Sequence, residues 1–98
     1  MKYVIDIDGT ICTTKNGDYK NSKPLKSRIA KINKLYWKEG NEITYFTARG
    51  YETGKDWRKL TEQQFKKWEV MYDNLIFGKP HGDVYIDDRA INDKNFFK

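Results

Sequence analysis

Cysteine is almost absent from this chain: Cys12 stands alone among 98 residues. A single thiol forms no intramolecular disulfide and builds no thiolate zinc cage, which argues for a reducing compartment and against secretion. Long apolar runs are missing too. No stretch approaches the roughly 20 residues of a membrane span, and the opening MKYVIDIDGT is too short and too acidic for a signal peptide. Repeats, low-complexity tracts and linker-like segments are also lacking, so a single cytoplasmic domain over residues 1–98, with no membrane partner, is expected. What is present is 38% hydrophobic and 15% aromatic content, enough bulk for one core, which excludes wholesale disorder. Lys and Arg outnumber Asp and Glu by 19 to 14, and the net +5 implies an anionic partner only where the charges converge.

Tyr3, Val4, Ile5 and Ile7 form a near-continuous apolar run broken by Asp6, the pattern of a central strand covered on both faces. Asn16-Gly17 between short β-prone pieces signals a hairpin, giving a small flap over residues 11–20. Ser22-Lys23-Pro24 then opens a helix in which Leu25, Ile29, Ile32 and Tyr36 share one stripe, stopped near Gly40. Glu42 to Phe46 reads as a second strand, running into Thr47-Ala48-Arg49-Gly50. A second helix from about Asp56 to Val70 gathers Trp57, Leu60, Phe65 and Trp68 on one face. Asn74 to Phe77 and Val84 to Ile86 read as two further short strands, followed by Gly78-Lys79-Pro80 and Asp87-Asp88-Arg89. This alternation predicts an α/β fold whose sheet is mostly parallel and flanked by helices.

In such sheets ligands collect beyond the carboxyl ends of the strands, where every unusual polar cluster of this chain falls. Asp6 and Asp8 are two apart at a strand end, so their side chains converge and repel unless a cation or a shared proton intervenes. Asp87 and Asp88 would add acids at the same rim. A hard divalent ion, Mg²⁺, suits such a set because it takes few carboxylates and keeps waters or substrate phosphate in its other positions. Thr47, Lys79 and Arg49 offer the hydroxyl, ammonium and guanidinium that phosphoryl oxygens use, with Gly9 leaving backbone N–H groups free to approach.

DIDGT at residues 6–10, Thr47 after an apolar strand, Lys79 in GKP and Asp87-Asp88 in YIDDRA resemble, in order, the four motifs of the haloacid dehalogenase-like superfamily. The resemblance spans nearly the whole chain. It implies a Rossmann-like domain and Mg²⁺-dependent phosphotransfer through an aspartyl-phosphate. Carried over by position, Asp6 is the nucleophile and a metal ligand, and Asp8 is the general acid/base, protonated at attack, with its carbonyl on the metal. Asp88, assisted by Asp87, completes the metal site. Gly9, Thr10, Thr47, Ala48, Arg49 and Lys79 line the phosphoryl pocket. The intervals between motifs hold no cap domain. TARGYETGKDW followed by FGKPHGDVYIDDRAIND is similar to small capless enzymes of capsule and surface-polysaccharide synthesis, and more distantly to the phosphatase half of polynucleotide kinase-phosphatases.

The expected activity is therefore hydrolysis of a small phosphorylated metabolite. The alternatives are a polynucleotide 3′-phosphatase and a non-enzymatic phosphate-binding or interaction module. Arg49 reads equally as a phosphate contact or as one half of a structural ion pair. Cys12 reads as a packing residue, His81 as a loop residue near the phosphate lysine, and Trp57 and Trp68 as core. The aromatic end Phe96-Phe97 suggests self-association into a homo-oligomer.

Overall fold

Stretches rich in β-branched and aromatic residues alternate with lysine-rich helical ones. The computed structural model, which describes residues 1–98, converts that alternation into an open parallel sheet with helical crossovers. In chain order the elements are β1 (Lys2–Ile5), β2 (Cys12–Thr13), a 3-10 turn (Tyr19–Asn21), β3 (Lys23–Pro24), α1 (Lys26–Trp37), β4 (Glu42–Thr47), α2 (Arg58–Lys67), β5 (Asn74–Phe77) and α3 (Asp93–Phe96). The main sheet is three-stranded, in the order β1-β4-β5, with every pair parallel. The α/β class expected from the sequence is the class observed.

One apolar cluster holds the layers together. Ile43, Tyr45 and Leu75 from the sheet meet Ile29 and Ile32 of α1, Phe65 of α2, and Ile7 and Ile11 from the turn after β1. Tyr45 and Phe65 pack edge to face with ring centroids 5.0 Å apart, the offset that aromatic quadrupoles favour. Burying a side chain such as Phe65 stabilises the fold by about 1.5–3 kcal/mol.

Cover on both faces of β1 was expected, and the structure corrects this. Phe96 of α3 packs on Tyr3, so all three helices deliver apolar side chains to the face that carries Tyr3, Ile43, Tyr45 and Leu75. Crossovers of one hand that step the same way across a sheet leave their helices on one side of it. The opposite face, with Val4, Thr44, Phe46 and Ile76, receives none of them, and Val4 is 68% exposed. β1 is also an edge strand, because β4 is its sole partner.

Three local expectations shift. Pro24 does not open α1 but pairs with Cys12 in a short antiparallel ladder, and the helix begins two residues later at Lys26. The flap is accordingly a hairpin from Cys12 to Pro24, turning through Asn16 and Gly17, both at positive φ (50° and 73°) as the Asn-Gly signal requires. Val84 to Ile86 forms no strand: residues 80–92 are all exposed, and Tyr85 curls back so that its hydroxyl donates to the Pro80 carbonyl at 2.7 Å.

The aromatic end is not free either. Phe96 and Phe97 pack against the core, and Arg28 donates to Asp93 at 2.7 Å, fastening α3 to α1. That hydrogen bond, with the guanidinium charge, holds the Asp93 carboxyl below its ordinary 3.8. A depressed folded value means the stabilisation is complete above pH 3.8 and disappears as pH falls through the folded value. An Asp93→Asn variant should therefore melt below wild type near neutral pH, by about 1 kcal/mol or less, with the gap closing in acid scans. A gap that persists unchanged in acid excludes the ion pair as its cause.

Candidate functional site

The chain leaves β1 at Ile5, and Asp6 follows at the carboxyl end of the sheet. Lys79 comes to the same place. Its backbone N–H donates to the Thr47 carbonyl at 3.1 Å, where β4 ends, and its ammonium lies 3.5 Å from Asp6 Oδ1. Asp6 keeps 36% of its side chain exposed, more than Asp8 at 24% or Lys79 at 19%. Burial raises its carboxyl above the ordinary 3.8; Lys79 opposes the rise and the Asp8 charge adds to it. Thr47 is fully buried, its hydroxyl oxygen accepting the Arg49 N–H at 3.1 Å.

Asp8 sits in a different setting. Arg49 grips it with two hydrogen bonds, Nε to Oδ2 and Nη2 to Oδ1, each 2.9 Å, and Thr14 donates to Oδ1 at 2.6 Å. This forked geometry combines charge with direction. Behind it, Arg49 Nη1 donates to Gln64 Oε1 at 2.7 Å and Thr61 Oγ1 at 3.0 Å, and the guanidinium lies 4.8 Å from the Tyr19 ring. One side chain thus ties together the Asp8 turn, the flap and α2. With its side chain 0% exposed, Arg49 is an ion-pair residue and not a surface for phosphate, which corrects its place among the substrate contacts.

The glycine turn also differs from expectation. The Gly9 N–H donates to Cys12 O at 2.8 Å, and the N–H groups of Thr10 and Ile11 both donate to Ile7 O. The loop satisfies its own donors, so Gly9 and Thr10 do not present free N–H groups, although Gly9 does need its φ of +85° to make the turn. Ala48 is half-buried and accepts the Tyr51 N–H at 3.0 Å.

Asp87 and Asp88 stand outside this mouth. Both are exposed; Asp87 is held below its ordinary range chiefly by the Arg89 N–H, and neither is among the charges that act on Asp6. No three acidic, histidine or cysteine side chains gather closely enough to hold a metal ion. The Asp8 carboxylate already serves Arg49 and Thr14, so one chain offers Mg²⁺ the Asp6 carboxylate and the Asp8 backbone carbonyl without the acids expected from Asp87 and Asp88, and the donors of a single chain do not complete the expected site. Of the residues anticipated, the fold brings together Asp6, Asp8, Thr47, Arg49 and Lys79 and leaves Asp87 and Asp88 apart. His81 pairs with Glu52 at 2.7 Å, and Tyr85 lies under the Lys79 ammonium, 4.3 Å from its ring centre.

Sequence reasoning missed Thr14, Thr61 and Gln64. The last two were legible in principle, since both are polar positions inside the stripe Trp57, Thr61, Gln64, Phe65, Trp68 that otherwise packs inward. Cys12 proves to be a packing residue: it is buried, and burial with the Asp8 charge pushes its thiol up to about 11. A thiol that holds its proton is a poor nucleophile. Alkylating reagents should leave the native protein unmodified and label one site after denaturation; rapid native labelling would show an open flap.

The fold and site define an open α/β protein with an acid–lysine pair at the carboxyl end of a parallel sheet. Neither the family models nor the curated proteins contain a match to this chain. A crystal structure of a Vibrio cholerae protein is similar over 98% of this chain and 86% of its own, with 32% identity and a TM-score of 0.83. The chain belongs to the same family as that protein. It also shares its fold with part of a Pnkp1/Rnl/Hen1 complex, at 19% identity and a TM-score of 0.62, spanning 34% of that chain. No helix is long and apolar enough to cross a membrane.

Proposed function

We propose that the protein is a phosphomonoester hydrolase of the haloacid dehalogenase-like type, with Asp6 as nucleophile. The observation that carries this reading is the pairing of a partly exposed Asp6 with Lys79 at the mouth of the sheet. In the first half-reaction an Asp6 oxygen bonds to phosphorus as the ester P–O bond breaks, and the leaving oxygen takes a proton. In the second, water attacks the acyl phosphate, releasing phosphate and restoring the carboxylate. Lys79 offsets charge on the transferring oxygens, which is the main requirement of phosphoryl transfer. Asp8 is the neighbouring group that this reading assigns to proton exchange, giving a proton to the leaving oxygen and later taking one from the attacking water, and Arg49 sets its orientation. Mg²⁺, the cofactor of this reading, would supply further charge neutralisation.

A small phosphorylated metabolite such as a sugar phosphate, in surface-polysaccharide synthesis, is the substrate class that the motifs support. Phosphate release from a panel of sugar and alcohol phosphates should appear with Mg²⁺ and cease with chelator. Silence across the panel, with turnover of oligonucleotide 3′-phosphates that weakens steeply with salt, would favour a polynucleotide substrate instead, a class prompted by the net +5. Failure on both panels removes the hydrolase.

A further inference from the structure

We infer that two copies of this chain exchange arms: Val84–Ile86 of one adds as a parallel strand to the open edge of β1 in the other, carrying Asp87 and Asp88 to that copy's Asp6. The strand exchange stands on the fold alone, and its consequence for the metal rests on the hydrolase reading.

The acceptor is built and empty. β1 pairs only with β4, so a row of backbone donors and acceptors faces outward beside the 68% exposed Val4. Parallel strands are ordinarily buried on both sides, and an uncapped edge is a template for another strand. The donor is exposed to the same degree. Val84 is 74% and Ile86 96% exposed, an arrangement that costs apolar hydration unless something covers it. Val84-Tyr85-Ile86 has the β-branched and aromatic composition of a strand without a partner.

The chain's own arm cannot supply that partner. Residues 78–83 separate β5 from Val84, whereas a parallel crossover takes about a dozen residues or more. The Lys79 N–H bond to Thr47 O further pins the arm at the carboxyl end of β4. From there residues 80–83 reach roughly 17 Å when fully extended. A return to the start of β1's open edge must cover two strand spacings and the length of β1, roughly 16 Å in a straight line that runs through side chains of the uncovered face. Nothing remains for rising over them. A second copy has no such tether to β5, and two-fold exchange closes both edges at once.

Direction decides what the exchange delivers. In parallel pairing Asp87 and Asp88 follow Ile86 at the same end at which Asp6 follows Ile5. The acids that no single chain gathers would then meet across the two copies, and Tyr85 would leave Lys79 free for phosphate.

Disulfide trapping separates the possibilities, because buried Cys12 does not compete. Val4→Cys and Tyr85→Cys chains, altered at exposed positions that the parallel register sets opposite each other, are mixed and oxidised. A covalent dimer containing one of each is expected, alongside a dimeric wild type in sedimentation. A Val4→Cys/Tyr85→Cys chain that closes only on itself, or a wild type that sediments as monomer at all concentrations, overturns the exchange. Asp6→Asn and Asp87→Asn/Asp88→Asn proteins, each inactive alone, should regain about a quarter of the wild-type rate when mixed, since half the pairs are mixed and each of those holds one intact site. Cross-linking without regained activity defeats the delivery of the acids. Wild-type inactivity on every phosphate ester defeats the hydrolase reading, and the cross-linking result still decides the strand exchange.

Discussion

Arg49→Met should lower the melting temperature by about 15–30 °C, the largest stability loss expected from one substitution in this chain. The guanidinium is inaccessible to solvent and makes four hydrogen bonds to oxygens, two to Asp8 and one each to Thr61 and Gln64. Methionine fills much of the same volume but leaves all of those acceptors facing an apolar side chain. Breaking a buried pair by removing one partner costs about 3–5 kcal/mol, because the other charge stays behind. In a domain of this size each kcal/mol moves the midpoint by about 4–8 °C. Arg49→Lys should rescue little, since an ammonium cannot fork onto a carboxylate and also reach α2. A double cycle with Asp8→Asn should show strong coupling, as the second change removes the stranded charge. A loss of only a few degrees in Arg49→Met would mean that the network contributes geometry but no stability.

Residues such as Arg49 show why only part of this structure is legible in the sequence. The strands β1, β4 and β5 announce themselves because an apolar run needs no knowledge of its partner. The parallel class follows from the helices between them. Which face of the sheet is covered does not follow, because Tyr3-Val4-Ile5 looks alike whether one side or both are buried; the count and direction of the crossovers decide it. Val84 to Ile86 carries the composition of a strand, yet a strand also needs an edge within reach, and the length of the preceding connection sets that. The site divides in the same way. Asp6 and Lys79 are marked by motifs at strand ends, a rule about position in the chain. The Arg49 fork closes over 41 residues and is completed by Thr61 and Gln64, a link visible only after α2 has docked.

Asp6→Asn should be both the least active and one of the more stable variants of the mouth. If Asp6 forms the bond to phosphorus, its amide cannot, and turnover should fall by roughly three orders of magnitude or more, the scale seen when a nucleophile is removed. Stability should move the other way. Burial raises the folded pKa of Asp6 above 3.8, so its contribution is complete below pH 3.8 and is lost as pH rises through the folded value. Near neutral pH the wild-type chain therefore carries a carboxylate that its surroundings disfavour, with Lys79 compensating only in part. Asparagine has no charge to desolvate. In chelator, to keep cations out of the comparison, Asp6→Asn should melt above wild type near neutral pH, with the difference vanishing below pH 3.8. Gaining stability while losing activity is the mark of a group kept for chemistry at a structural cost. Retained turnover in Asp6→Asn would falsify the nucleophile, and a lower neutral-pH midpoint would show that its bond to Lys79 outweighs burial.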